Sequence, residues 1–162
     1  MSGSTHVRAG EGNSIWIQGF GVDYKIVGEL VGGRFAILES PMDPGMLAPP
    51  HTHSREDELC FVLKGRVGFK VGEDVIDAGP GDYVLRPRGI PHAIWNATTE
   101  PARILEIITP AGFERYFLEV AELAKLQVSP FDPRRAELRA RYGLTGNPEW
   151  VPDLQARFGV KL

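Results

Sequence analysis

The sequence predicts an all-β domain, an antiparallel sandwich or barrel, followed by a helical tail. Between Ser14 and Thr109 the apolar runs are short and rich in β-branched and aromatic residues. Gly, Pro and Asp break these runs at nearly regular intervals. After Pro110 the apolar residues recur every three or four positions, which is the period of a helix. The 19 glycines and 13 prolines are spread singly instead of forming a low-complexity tract, so they read as turn punctuation.

Residues 1–13 are small, polar and glycine-rich, and are expected to be a disordered N-terminal segment outside the domain. Strand candidates then follow in order: SIWIQG, DYKIVGELVG, RFAILES, the segment around HTH, ELCFVLKG, RVGFKVG, EDVIDAG, DYVLRP, HAIWN and RILEIIT. The breaks GGR, KGR, VGED, AGPGD and PRGIP supply the glycine and proline that hairpins and tight turns require. Together these make a barrel of residues 14–110. Residues 111–162 form a C-terminal helical extension. In it, GFERYFLEVAELAKL places Phe113, Phe117, Val120 and Leu123 or Ala124 on one face. A second helix is expected from Pro133 to Tyr142, with Pro133 in its first turn and Gly143 just beyond its end. The last segment, PEWVPDLQARFGVKL, gives one further helical turn around Leu154.

A chain of 162 residues holds one domain with a real core, and no repeat or linker marks a second. The formal net charge of −3 supplies no basic field for a phosphate backbone, so nucleic acid is not an expected partner. No apolar run reaches membrane-spanning length and the N-terminus lacks a secretory h-region, so no membrane partner and a cytoplasmic location are expected. The single cysteine, Cys60, cannot form an internal disulfide, which agrees with a reducing compartment.

The candidate chemistry starts at His51 and His53. Pro49 and Pro50 precede them and disfavour helix, so the backbone there is expected to be extended. Alternate side chains of a strand share a face, and two residues rise about 6.6 Å. Two imidazoles leaning together across that rise can reach one ion at about 2.0–2.1 Å from each nitrogen. The polar turn SRED then leads into a strand that carries Glu58 back to the same neighbourhood. His92 follows a turn stiffened by Pro87, Gly89 and Pro91 and completes the set. Three histidines and one carboxylate suit one divalent transition metal ion, with iron, manganese, nickel, zinc and copper all admissible, and they leave a position open for water or substrate. The chain has four histidines, and the three beyond residue 13 all fall in this set. The surrounding glycines and prolines, with Asn96, read as turn-shaping residues.

These residues resemble the cupin family. Gly45, His51, His53, Glu58 and Gly65 stand at the spacing of the first cupin motif, and Gly81, Pro87, Gly89, His92 and Asn96 at that of the second. The resemblance implies a double-stranded β-helix, or jelly-roll barrel, with the metal inside. HTHSREDE, GPGDYVLRPRGIPHAIWN and PAGFERYF further resemble single-domain bacterial cupins related to quercetin dioxygenase. That likeness implies a metal-dependent dioxygenase acting on a small phenolic or enolisable substrate such as a flavonol. In it Glu58 would be the catalytic carboxylate, either staying bound or leaving to accept a proton. A cupin isomerase or lyase and a non-enzymatic ligand-binding module are the alternatives, because one fold hosts many chemistries.

Strand alternation extends the reading to neighbouring residues. With Glu58 inward, Cys60 and Val62 point inward and Leu59 and Phe61 outward. Ile94 and Asn96 share the face of His92, and Trp95 points away into core or interface. Phe35, Ile37, Met42 and Met46 are candidates for the pocket wall. Glu56 and Asp57 are expected in solvent, and Arg34, Arg86 and Arg88 near strand ends, so the interior reads as mainly apolar. A polar isomerase substrate fits such an interior less well. Outward Phe61, the strand SIWIQ and the apolar helix together predict a homodimer.

Overall fold

The computed structural model describes residues 6–127 and 132–162. The expected disorder of residues 1–13 falls, for residues 1–5, outside the described residues. Residues 6–13 form no helix or strand, but the Asn13 carbonyl accepts from Tyr24 N at 2.8 Å and the Glu11 carbonyl accepts from Lys25 Nζ at 2.7 Å.

Ten strands precede the tail. They are β1 (Ser14–Ile17), β2 (Phe20–Ile26), β3 (Ala36–Met42), β4 (His51–His53), β5 (Asp57–Lys64), β6 (Val67–Val71), β7 (Asp74–Ala78), β8 (Tyr83–Arg86), β9 (His92–Trp95) and β10 (Ala102–Thr109). Each expected run yields one, with a correction in DYKIVGELVG. That run is not one strand: its second half, Gly28–Val31, is a turn of 3-10 helix closed by left-handed Gly32. In the tail lie α1 (Glu114–Lys125), α2 (Pro133–Arg141), β11 (Leu144–Gly146), a 3-10 turn at Pro148–Trp150 and α3 (Val151–Phe158). The extension is therefore not purely helical. β11 pairs antiparallel with β4, a contact of high sequence separation that no local pattern announces.

The strands form two antiparallel sheets, β1-β2-β3-β10-β5-β8 and β11-β4-β9-β6-β7. Their inner faces meet over Met42, Met46, Cys60, Val62, Val67, Phe69, Ile94 and Ile104. Alternation is obeyed on β5, where Glu58, Cys60 and Val62 are buried and Leu59 and Phe61 half-buried. On β3 it runs opposite to expectation at one place. Met42 is core, but Ile37 lies on the half-buried outer side together with Glu39, so it lines no pocket, and Phe35 precedes the strand. Strand β9 is buried along its whole length because both faces are covered. His92 and Ile94 face the barrel, while Ala93 and Trp95 pack outward on Leu154 and Val160 of the tail. Trp95 is thus core, and it lies so close to β6 that a Cβ on Gly68 would be 2.1 Å from the indole.

The tail acts in two places. The α1 face carries Phe113, Tyr116 and Phe117 onto Val22, Tyr24, Leu38 and Ile108, which are inner-face residues of the six-stranded sheet, so α1 closes one end of the barrel. Its inward stripe continues to buried Ala121 and not to Ala124, which is exposed. The α3 segment instead covers the outer face of β9. The outer face of the six-stranded sheet presents Tyr83 and Leu85, 69% and 57% exposed, beside Phe61, whose ring centroid is 4.6 Å from that of Tyr83.

Candidate metal centre

His51 and His53 project from β4, His92 from β9 and Glu58 from β5. His51 and His92 are directly opposed across the β4–β9 pair. The extended backbone after Pro49-Pro50 puts both β4 imidazoles on one side, and the turn through Gly89, whose N–H donates to the His53 carbonyl at 2.7 Å, sets the start of β9. One donor atom from each of the four residues lies within 4.8 Å of the others, so the group can hold a metal ion. All four residues singled out from the sequence therefore meet at one centre, His53, Glu58 and His92 being buried and His51 half-buried.

The three rings are oriented from behind. His51 Nδ1 lies 2.7 Å from the Pro49 carbonyl oxygen and His92 Nδ1 3.1 Å from that of Ile90. A carbonyl can only accept, so each Nδ1 carries the proton and each Nε2 presents its lone pair to the centre. His53 Nδ1 sits 3.3 Å from Glu56 Oε2, the carboxylate–histidine arrangement that fixes a ligating ring. This corrects the expectation for Glu56. It is 6% exposed, with its carboxylate turned onto His53 and not into solvent. Asp57 does face outward, in an ion pair with Arg88.

At the centre the lone pairs converge. His51 Nε2 and His53 Nε2 are 3.1 Å apart, and Glu58 reaches His53 Nε2 through Oε1 and His92 Nε2 through Oε2, both at 3.4 Å. His92 Nε2 and Glu58 Oε2 are buried without a hydrogen-bond partner. Two facing imidazole lone pairs and an orphaned carboxylate oxygen repel unless a cation or proton lies between them. A proton is disfavoured. Burial, with His92 and His53 adding to it, pulls His51 down to about 3, and burial likewise lowers His92. Burial opposes ionisation of Glu58, but the cationic Arg86, with His53 and His92, outweighs it and holds the carboxyl well below its usual range. Neutral imidazoles beside an ionised carboxylate are the donor set that a dication takes.

Phe113, whose helix the sequence leaves free either to close the barrel mouth or to cover the outer sheet, stacks edge-on against His53, with ring centroids 4.3 Å apart, which ties the helical tail to the site. Sequence reasoning missed the inward charged side chains of β8 and β10. Arg86 is the first. It is 2% exposed and points inward, with Nη1 3.0 Å from Glu58 Oε2. Its Nη2 donates to Glu106 Oε1 and to Cys60 Sγ. Glu106, on β10, is 2% exposed and its Oε2 accepts from Ser40 Oγ at 3.2 Å. Burial pushes the Cys60 thiol well up, so it is a neutral S–H lining this network. The interior is therefore not mainly apolar. Strand alternation alone could have flagged Arg86 and Glu106, since β8 and β10 bury every second residue. Of the other two arginines considered, Arg88 is on the surface with Asp57 and Arg34 Nε bonds the Val31 carbonyl, so neither enters the barrel.

The comparisons with known proteins agree with this geometry. Residues 39–108 match the cupin domain model. The chain is 39% identical over 75 residues to a rhicadhesin receptor of Pisum sativum, a match covering 43% of this chain and 32% of that protein. It is 33% identical over 100 residues to dimethylsulfoniopropionate lyase DddQ of Ruegeria pomeroyi, covering 51% and 48%. These matches therefore span only a third to a half of the relatives' own length. Among solved structures, a predicted oxalate decarboxylase from Thermotoga maritima superposes with a TM-score of 0.62 at 19% identity, covering 65% of this chain and 99% of the other. The polyketide cyclase RemF from Streptomyces resistomycificus gives 0.58 at 23% identity, covering 65% and 79%. At such identities the likeness is one of fold. The family match shows a cupin domain over residues 39–108, and the two antiparallel sheets and both motif spacings agree with that fold.

Proposed function

We propose that the chain binds one divalent transition metal ion through His51, His53, Glu58 and His92 and is a metal-dependent dioxygenase for a small phenolic or enolisable substrate such as a flavonol. The observation that carries the metal reading is the convergence of three Nε2 lone pairs and one ionised carboxylate, with each Nδ1 engaged from behind. A bound ion supplies Lewis-acid polarisation of a substrate hydroxyl or enol oxygen. The protein's own share is to hold the three rings in one tautomer, to keep the centre dry on the side of Phe113, and to present Glu58 as the carboxylate facing the centre. Glu58 is then either a permanent ligand or the acceptor of a substrate proton. The only arginine inside the barrel among the three considered is taken up by Glu58 and Glu106, so it offers no free cation to an anionic substrate, which favours a phenolic one.

The test is oxygen uptake on an electrode with flavonols and other phenolic or enolisable compounds, using protein loaded in turn with iron, manganese and nickel. Uptake is expected in at least one form, and none in any form overturns the dioxygenase reading. A lyase is the second reading, favoured by the 33% identity to the dimethylsulfoniopropionate lyase, and it predicts elimination products without oxygen. As part of the same proposal, the protein works in the cytoplasm as a homodimer through the outer face that bears Phe61, Tyr83 and Leu85. No helix among the described residues is long and apolar enough to cross a membrane.

A further inference from the structure

Glu58 is held from two sides. In front are His53 and His92, each 3.4 Å from one of its oxygens. Behind it, Arg86 stands directly across the β5–β8 pair. Its guanidinium approaches Oε2 to 3.0 Å as an ion pair that lacks hydrogen-bond alignment, and both Oε2 and Arg86 Nε are left without a hydrogen bond. Arg86 is in turn anchored. Glu106 stands opposite Cys60 across the β5–β10 pair and takes Nη2, Cys60 Sγ accepts from the same nitrogen at 3.0 Å, and Ser40 Oγ donates to the far oxygen of Glu106. Four adjacent strands, β3, β10, β5 and β8, thus each contribute an inward polar side chain to one buried chain. Removing ions from water is costly, and a buried charge of this kind persists only where its partners are fixed.

We propose that Arg86, braced by Glu106, is a positioning residue that clamps Glu58 as a permanent metal ligand and so removes it from service as a mobile proton acceptor. This rests on the metal reading given above and narrows it. A carboxylate that left the centre would have to break its contact with Arg86 or drag a guanidinium held by Glu106 and Cys60.

The sign of one effect separates clamping from charge. Arg86 is the cation nearest Glu58, with Glu106 behind it, so deleting both charges makes the surroundings of the centre more negative and by Coulomb attraction alone tightens a dication. Loss of a clamp loosens it. The full-length chain, stripped with a chelator, is titrated with Co(II) while the visible d–d bands are recorded. The variants are Arg86→Lys, the double Arg86→Leu/Glu106→Leu, and His53→Ala as the control. The double variant removes Arg86 and Glu106 together and leaves only Glu58 without its cation, where Arg86→Leu alone would leave two carboxylates, so it is the variant better able to fold. Expected are one Co(II) per wild-type chain, affinity weakened about 10–100-fold with shifted bands in the double variant, and an intermediate loss in Arg86→Lys, which keeps the charge without the fork. Equal or tighter binding with unchanged bands in a folded double variant overturns the clamp while leaving the metal site intact. Absence of Co(II) binding by the wild type, or wild-type binding by His53→Ala, overturns the metal reading and the clamp with it.

Discussion

Glu58 divides the centre into two halves built by different means. On its histidine side every partner comes from a short segment with its own local constraint: Pro49-Pro50 ahead of His51 and His53, and the Pro87–Pro91 turn ahead of His92. On its arginine side the partners are Arg86 at the end of β8, Glu106 on β10 and Ser40 on β3, and they are brought together only by sheet order and register. The first half converges lone pairs that call for a cation, and the second is a charged network whose members satisfy one another apart from Arg86 Nε and Glu58 Oε2. The comparison teaches that one carboxylate serves both halves, so a change on either side is felt at the other.

The largest effect expected on the histidine side is that of His51→Ala/His53→Ala. Elemental analysis of protein purified without chelators should give roughly one metal per wild-type chain and none in this variant, and a retained equivalent would place the ion elsewhere. On the arginine side, Arg86→Leu alone leaves Glu58 and Glu106 buried without their cation and should cost about 3–5 kcal/mol in urea unfolding. The companion Glu106→Leu change should recover part of that loss, since it removes one of the two stranded carboxylates. If the single and double variants are equally unstable, the network is not a charge pair.

A smaller effect tests whether the histidine side also depends on a carboxylate behind it. Glu56→Gln keeps the shape beside His53 Nδ1 but removes the charge, and should weaken metal binding by about 10-fold with little change in unfolding. The response to pH is shared by both halves. His51 and His92 are depressed below 6.5 and Glu58 below 4.5, so below those values the unfolded chain binds more protons than the folded one. The stability of metal-stripped protein should therefore fall as pH drops below about 6.5, and again below about 4.5. Because burial already keeps His51 and His92 neutral, metal affinity should decline less between pH 7 and 5 than it would at an exposed histidine pair. A rise in urea midpoint on acidification would contradict this sign. Smallest of all at the centre, Tyr83→Lys/Leu85→Lys on the outer face should leave metal content unchanged and shift unfolding by no more than about 0.5 kcal/mol. The same variant should convert a dimeric mass to a monomeric one by light scattering, and a wild-type mass that is already monomeric at micromolar concentration removes the dimer.

The strands, the inward set of β5 and the four residues that meet at the centre were legible in the sequence alone. These follow from a period of two and from proline and glycine placed next to the residues they aim, both of which act over a few positions. The local pattern misplaced Glu56, because a charged residue in a polar turn ordinarily faces water and only its reach to His53 brings it inside. It also gave an apolar interior, because Arg86 stands at a strand end. Long-range pairing alone sets who stands behind whom: Arg86 opposite Glu58, Glu106 opposite Cys60, β11 beside β4, and Phe113 against His53. Those pairings join residues far apart in the chain. Their register is chosen by the whole sheet and by the burial of α1 over its end, and no local pattern carries that information.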